Sequence, residues 1–537
     1  MKAPTHAAAS GRRALQALLL LAGAWACVWL LHYPLLHLPY YWDEAGYYIP
    51  SAYDFFRSGT LIPYSTLSNA HPPIPSILLA AFWKAFGFHI FVTRSLMCLM
   101  SAISLLAVWR IAISAGCARS VAAFTVVLTA IYPVFFAQSS LAHADMFAAP
   151  ATLWAIAFLV EERHWASVFC FSLAALAKET SIATPAAIAG WEILQAWWQR
   201  RRGLDSWPPH ANRGFKFFVP AIPLVAWYAW YYSRTGYVFG NPQYFQYNAE
   251  GTLNPERFFI ALFHRTLQVT LHMQLFVPFL LALSMVLLPP VLRADGTPRE
   301  SIQWKDRAYF SVIIIGNVIF FAVFGGALLT RYLLPVYPLV ILLCINSLWR
   351  RLPLWHYVAA FSVMAFILGL FINPPYQFAP EDNLEYVSFI HLQQEAIRQI
   401  QQNYPHQTVL TAWPASDELT KPMLGYVKQP IPVIAIRDFD LKQIHRAATT
   451  PGRYGVALVF STKYDPPHML LNLGSWNNHI DKRFFDFHKD LMPKDIANQL
   501  GGAVVWEKHE KGEWAAIIDF NLPASAKFAP RKPPGSL

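Results

Sequence analysis

A polytopic α-helical membrane protein with an α/β extracytoplasmic domain at its C-terminal end is the fold this sequence predicts. Three observations predict it. Of the 537 residues, 55% are hydrophobic and only 14% charged, a composition uncommon in water-soluble domains. Apolar stretches of the length needed to cross about 30 Å of hydrocarbon recur as far as residue 372. From residue 373 the chain turns polar and carries short β-branched runs instead.

The first apolar stretch, near 14–32, follows Arg12 and Arg13. Aromatics and prolines come after it, where a signal peptide would present small residues for cleavage, so an uncleaved span is expected. Further spans are expected near 92–112, 120–138, 143–160, 165–180, 182–198, 215–232, 270–291, 309–329, 333–349 and 354–372. Placing the N-terminus in the cytoplasm makes every inside loop basic. Those loops hold Arg110 and Arg119, Arg163, Arg200 to Arg202, Arg213 and Lys216, Arg293 to Arg307, and Arg350 with Arg351. About eleven spans then put the tail outside. The net charge of +11 is dispersed among such loop anchors, which argues against a nucleic-acid partner.

On this map the outer face receives residues 33–91, in which "AGYYIPSAYDFFRSG" and "IPSILLAAFWKAFGFHIF" suit interfacial helices. It also receives the loop 233–268, with the turn-rich "GYVFGNPQYFQYNAEGTLNP". Residues 1–372 thus form the membrane domain and 373–537 an outer one. In the tail, "QTVLTAWP", "IPVIAI" and "GVALVFS" read as strands, and "GAVVWEKHEKGEWAAIIDF" as a hairpin turning near Lys511–Gly512. "EYVSFIHLQQEAIRQIQQNY" has amphipathic helical spacing. No phosphate-binding glycine loop is found in the tail. The five cysteines lie in or beside apolar runs without CxxC spacing, so small buried packing residues are expected, with neither zinc nor disulfides.

The unusual residues converge on the outer ends of the spans. Asp43 and Glu44 follow the first span in "YYWDEAGYY", and His71 precedes a proline pair in "NAHPPIPS". "LAHADMFAAP" carries His143 and Asp145, "ALAKETS" carries Lys178 and Glu179, and "LLTRYLLPVYP" carries Arg331 and Tyr332. Each has a plain structural alternative. Asp43 caps a helix in one, Lys178, Glu179 and Arg331 snorkel to the interface in another, and His143 is a hydrogen-bonded packing residue in a third. Capping accounts for one carboxylate but not for two beside Trp42 and a run of tyrosines. Asp145, set between apolar stretches, is costly if it faces lipid, which favours a polar cavity.

Together, "YWDEAGYY", "HPP", "HADMF", "AKET" and "TRYLLPVYP" resemble the GT-C integral-membrane glycosyltransferases, nearest the protein O-mannosyltransferases and the aminoarabinose transferases that modify lipid A. The resemblance covers about residues 14–372. It implies transfer of a sugar from a polyprenyl-phosphate donor to a lipid A, protein, glycolipid or wall-polymer acceptor, at the outer face of a bacterial inner membrane. Carried over by motif, Asp43 is the general base, Glu44 supports it, and Asp145 is the second acidic position. Lys178, Arg331 and His71 are the implied phosphate contacts, and Tyr41, Trp42, His143 and Tyr332 the substrate contacts. In the outer loop, Tyr244 and Asn248 touch sugar or acceptor, or else build a structured loop. Tyr40, Tyr41 and Trp42 would rim the lipid groove. His71 stands where some lipid A-modifying relatives have lysine. His143 and Asp145, with Asp43, leave a divalent metal open, since carboxylates suit hard cations.

The chemistry agrees independently: a hydroxyl attacking an anomeric carbon needs a carboxylate to take its proton, and a leaving phosphate needs cationic donors. The alternative is a transporter or lipid flippase with an outer-face charged site. Against it stand the lack of an evident inverted repeat and the placement of charges at span ends. An outer-face binding protein whose tail recruits a partner is the non-catalytic alternative.

Overall fold

The computed structural model describes residues 6–68, 70–203, 207–240, 252–449, 452–466, 475–485 and 490–521. The chain forms two compact units. One comprises residues 1–37 with 50–372, the other 38–49 with 373–537. The short acidic segment after the first span therefore folds with the C-terminal unit rather than with the helices that flank it in sequence.

The first unit is helical. It contains α1 (His6–Leu31), α2 (Ile49–Ser58, whose first residue belongs to the other unit), α3 (Ile74–Phe86), α4 (Ile90–Ser114), α5 (Arg119–Ile131) and α6 (Pro133–Gln138). Next come α7 (Ala144–Val160), α8 (His164–Ala177), α9 (Ala183–Arg201), α10 (Trp207–Lys216) and α11 (Ala221–Thr235). After the undescribed 241–251 follow α12 (Pro255–Thr270), α13 (Phe276–Ser284), α14 (Trp304–Val323), α15 (Tyr337–Arg351) and α16 (Trp355–Phe371). Each of the eleven apolar stretches read from the sequence contains a helix. By length and composition three described helices are able to cross a membrane: α1 over Ala14–Leu31, α4 and α14. The bent pair α12 and α13 makes a fourth if it is one span. Helices α3, α5, α7, α8 and α16 are apolar but shorter.

Backbone chemistry explains where the helices break. Tyr132 precedes Pro133, and its ψ of 124° is the extended geometry that a following proline enforces; α5 ends there and α6 begins on the proline. Between α12 and α13 the chain turns through 102°, with Met273 and Gln274 both in the left-handed region at φ 45° and 63°. The Gln274 side chain packs on Gly369 of α16, where a Cβ would come within 2.0 Å of its amide oxygen. The loop expected over 233–268 in fact becomes helix from Pro255. Asn254 caps it by accepting the Arg257 N–H at 3.2 Å, and the proline occupies the first helical position.

Helices α7 and α8 form a hairpin closed by Glu161, Glu162 and Arg163, with Glu162 at φ 61°. Alanine-rich faces let the pair pack closely, and the Ser167 hydroxyl donates to the Ala155 carbonyl at 2.8 Å across it. Of the cysteines, Cys98, Cys117 and Cys344 are buried, Cys170 is half-buried, and none is bridged. Cys27 departs from the expectation: it lies on the exposed side of α1.

The second unit is built on a five-stranded sheet in the order β2-β1-β3-β5-β4, with β1 (Val409–Ala412), β2 (Val433–Ile436), β3 (Val456–Phe460), β4 (Ala503–Glu510) and β5 (Glu513–Asp519). β1 runs parallel to β2 and β3; β5 is antiparallel to β3 and β4. The expected hairpin turns at Lys511 and Gly512, both at positive φ, and a bulge interrupts it between Val504 and Trp506. Every residue of β1, β3 and β5 is buried, as strands covered on both faces require. The helix α17 (Glu385–Asn403) packs its apolar stripe against β5, and the short α18 (Ala415–Thr420) follows β1.

Candidate active site

In the first unit the α7–α8 hairpin carries the central cluster. Its open end brings together Asp145, in the first turn of α7, and Lys178, immediately after α8. The Lys178 ammonium donates to Asp145 Oδ1, and Arg331 Nε lies 3.3 Å from Asp145 Oδ2. All three side chains are buried. That excludes snorkelling for Lys178 and Arg331: neither extends to an interface, and each is drawn inward by a carboxylate. A buried carboxylate without cations would be strongly destabilising; two cations make its burial tolerable.

Tyr332 collects the positive charge. Lys178 Nζ lies 4.0 Å from its ring centroid, with the guanidinium carbons of Arg265 and Arg331 at 5.6 and 6.0 Å. Cations favour the electron-rich face of an aromatic ring, and Phe321 stacks on Tyr332 to hold it. Facing these three cations are Asp145 and, beside Lys178, Glu179, which pairs with His71. Such an excess, in a buried setting, suits an anionic ligand.

One face of α12 holds the loop that supplies Arg331 and Tyr332. Arg257 donates to the Gly325 carbonyl at 2.6 Å, Arg265 to that of Leu329 at 2.7 Å, and Gln268 to that of Leu328 at 2.6 Å. The loop 325–329 has no helical partners for these carbonyls, and the side chains of α12 satisfy them. Sequence reading missed this role. The signal was present in "PERFFIALFHRTLQVT": two arginines eight residues apart, with Ala261 between them, on the face that is buried. Arg94 is buried inside α4 and donates to the Ser140 carbonyl at 2.6 Å.

His71 Nδ1 lies 2.9 Å from Glu179 Oε2, so it pairs with the neighbour of Lys178. His143 is fully buried and hydrogen-bonds Gln138 Oε1 through Nδ1 at 2.8 Å, the arrangement of the packing alternative. Tyr244 and Asn248 lie outside the described residues. Among the described residues no group of three or more His, Cys, Asp or Glu is placed to hold a metal ion.

Asp43 and Glu44 stand in the second unit, at the start of a π-helical turn, Glu44–Tyr48. Glu44 is completely buried, and its Oε2 accepts the Tyr41 N–H at 2.9 Å, so the carboxylate folds back on its own turn. Asp43 is half-buried and makes no capping hydrogen bond, which removes the capping alternative. Tyr40 and Tyr41, expected to rim a lipid groove, are instead buried within this unit; Tyr41 packs against Tyr386 and Phe389 of α17. Trp42, at φ 45°, meets Trp413 with ring centroids 5.2 Å apart. The aromatic run is a packing device that fixes the acidic turn. Burial, then the carboxylates of Asp43 and Asp417, push the Tyr47 phenol up to about 12.

Residues 70–227 match the family model described as dolichyl-phosphate-mannose-protein mannosyltransferase. The fold is similar to that of ArnT from Cupriavidus metallidurans bound to undecaprenyl phosphate, with a TM-score of 0.52 and 15% identity over 96% of this chain and 99% of that one. The chain has an ArnT-like fold. Apo ArnT from the same organism gives a TM-score of 0.51 and 15% identity, covering 97% of this chain and all of that one. A comparison with curated proteins finds no match. The family-model match runs from α3 through α10 into α11 and includes Lys178 and Asp145; Arg331 and the acidic turn lie outside it.

Proposed function

We propose that this protein transfers a sugar from a polyprenyl-phosphate donor to a hydroxyl-bearing acceptor at the outer face of a bacterial inner membrane. The observation that carries the reading is the buried cationic cluster: Lys178, Arg331 and Arg265 about Tyr332, with Asp145 bridging the first two. A similar fold binds undecaprenyl phosphate in ArnT, and a lipid phosphate is the kind of anion that such a cluster suits. Lys178 and Arg331 hold the donor phosphate, and Asp145 keeps both cations oriented. His71 acts through Glu179, beside Lys178.

In the reaction the acceptor oxygen attacks the anomeric carbon while the bond from that carbon to the phosphate oxygen breaks. The phosphate leaves as a monoester whose growing charge the cations stabilise. The acceptor proton passes to a carboxylate, for which the half-buried Asp43 is proposed. Glu44 supports it by closing the turn on the Tyr41 amide.

The test is conversion of a purified polyprenyl-phosphate sugar to free polyprenyl phosphate, followed by mass spectrometry with an envelope lipid extract as acceptor. Native protein turns over, and Lys178→Ala or Arg331→Ala lowers turnover by about 100-fold or more. Native activity in both variants would dispose of the phosphate assignment. Uptake of a labelled solute into vesicles without covalent product would favour transport instead.

A further inference from the structure

The closed end of the α7–α8 hairpin carries a second polar cluster, at the opposite end of these helices from Lys178 and Asp145. Hairpin geometry separates the two ends by the length of α8, 14 residues, or roughly 20 Å. A cavity of about 220 Å³ opens there, lined by His164, Trp191, Arg213, Trp304 and Lys305 among others. Beneath it Glu192, buried in the middle of α9, accepts from Arg213 Nε at 3.1 Å and from Tyr309 of α14, and lies 2.7 Å from His210 Nδ1.

This network explains why α10 and α14 pack on α9, but it does not use every donor around the cavity. Glu192 is satisfied by three partners, and Glu162, exposed at the rim, pairs with Lys305. His164 Nδ1 is buried, and neither it nor Arg213 Nη1 makes a hydrogen bond among the described residues. The half-exposed Lys305 ammonium keeps further protons to give. Both carboxylates are thus engaged while unengaged donors of three side chains line the same space.

The surroundings are those of a membrane–water boundary. Trp197, Trp198 and Trp304 are exposed, and Arg201 and Arg202 lie over Trp197 and Trp198 at 4.1 and 5.0 Å. Helix α10 sets Arg213 and Lys216 beside the exposed Phe215. Tryptophan with arginine and lysine at helix ends marks the headgroup level of a bilayer.

We infer that this cavity binds a phosphate-bearing head group, that of an anionic phospholipid, held by His164, Arg213 and Lys305 between Trp191 and Trp304. Basic pockets between helices at the headgroup level recognise lipid phosphates in this way. The site is separate from the proposed donor site, and neither inference depends on the other.

The test titrates full-length detergent-purified protein with dioctanoyl phosphatidylglycerol, inorganic phosphate and neutral dioctanoylglycerol, read by native mass spectrometry. Phosphatidylglycerol is expected to bind, and His164→Leu with Lys305→Ala to weaken it at least ten-fold. Lys305→Arg, which keeps the charge, is expected to bind as native does, separating loss of the contact from loss of fold. Arg213 is left intact because it partners a buried carboxylate. Phosphatidylglycerol binding tighter than inorganic phosphate upholds the lipid assignment. Equal binding by the two replaces the lipid with a soluble phosphate ligand and overturns the lipid part. Binding of neither, equal binding of the neutral lipid, or a double variant within two-fold of native overturns the site.

Discussion

Asp145 shows how one side chain organises others. Its two oxygens draw Lys178 inward from the end of α8 and Arg331 from the turn before α15, and removing either cation leaves a buried carboxylate short of a partner. Arg331→Lys is therefore expected to recover only part of the transfer lost in Arg331→Ala, because an ammonium lacks the planar fork that meets carboxylate and phosphate together. Donor-lipid consumption measures it. Gly46 sets a second constraint at this scale. A Cβ there would come within 2.5 Å of the Trp413 indole, a rigid ring that cannot swing aside. Gly46→Ala is expected to lose about 1–3 kcal/mol and to displace the acidic turn. Adding Trp413→Leu should restore much of the loss, since the clash and its relief involve the same two side chains. Thermal unfolding of the single and double variants decides this.

At the scale of elements, α12 is a clamp written into one helical face. Arg265→Leu removes the donors to the Leu329 and Ala327 carbonyls, and is expected to lower transfer through a misplaced Arg331 and Tyr332 with α12 itself intact. Circular dichroism at native strength together with reduced donor turnover is the expected pair of readings. The second unit carries its own titration. Burial, against an Asn373 hydrogen bond and the Lys511 charge, raises the Glu385 carboxyl to about 7. Burial, aided by Asp417, raises that of Glu418 to about 8. Burial and then Glu385 and Glu510 push Glu513 well above its ordinary value. A carboxyl raised on folding keeps a proton that the unfolded chain gives up, so stability is full below about 4.5 and falls as pH rises towards about 8. Melting temperatures between pH 5 and 9 should decline, and Glu418→Gln should flatten the upper part of that slope.

For the molecule as a whole, the prediction concerns the proposed base, Asp43. Asp43→Asn preserves size and removes the proton acceptor, and donor-lipid consumption is expected to fall to background while the melting temperature stays within a few degrees. Full turnover by this variant would remove Asp43 from the reaction. The helices, the C-terminal sheet and the residues of the cationic cluster were legible in the sequence because hydrophobic periodicity and charges in apolar surroundings are local signals. "HADMF" and "TRYLL" stand out wherever they occur, since lipid tolerates neither an aspartate nor an arginine. The break after Ile131 was passed over despite its proline, and the packing of Tyr40 and Tyr41 was misread as a groove. Their partners lie hundreds of residues away, in Leu424 and α17.

The amino-acid order by itself determined which segments avoid water, where the chain changes from helix to sheet, and which side chains are too costly to leave unpartnered. Tertiary structure alone decided that Lys178 and Arg331 share one carboxylate, that α12 clamps the loop bearing Arg331, and that residues 38–49 fold with the C-terminal unit. The reason is one of range. Periodicity and solvation are properties of neighbours along the chain, whereas hydrogen-bond satisfaction of a buried group depends on whichever distant atoms the packing brings to it.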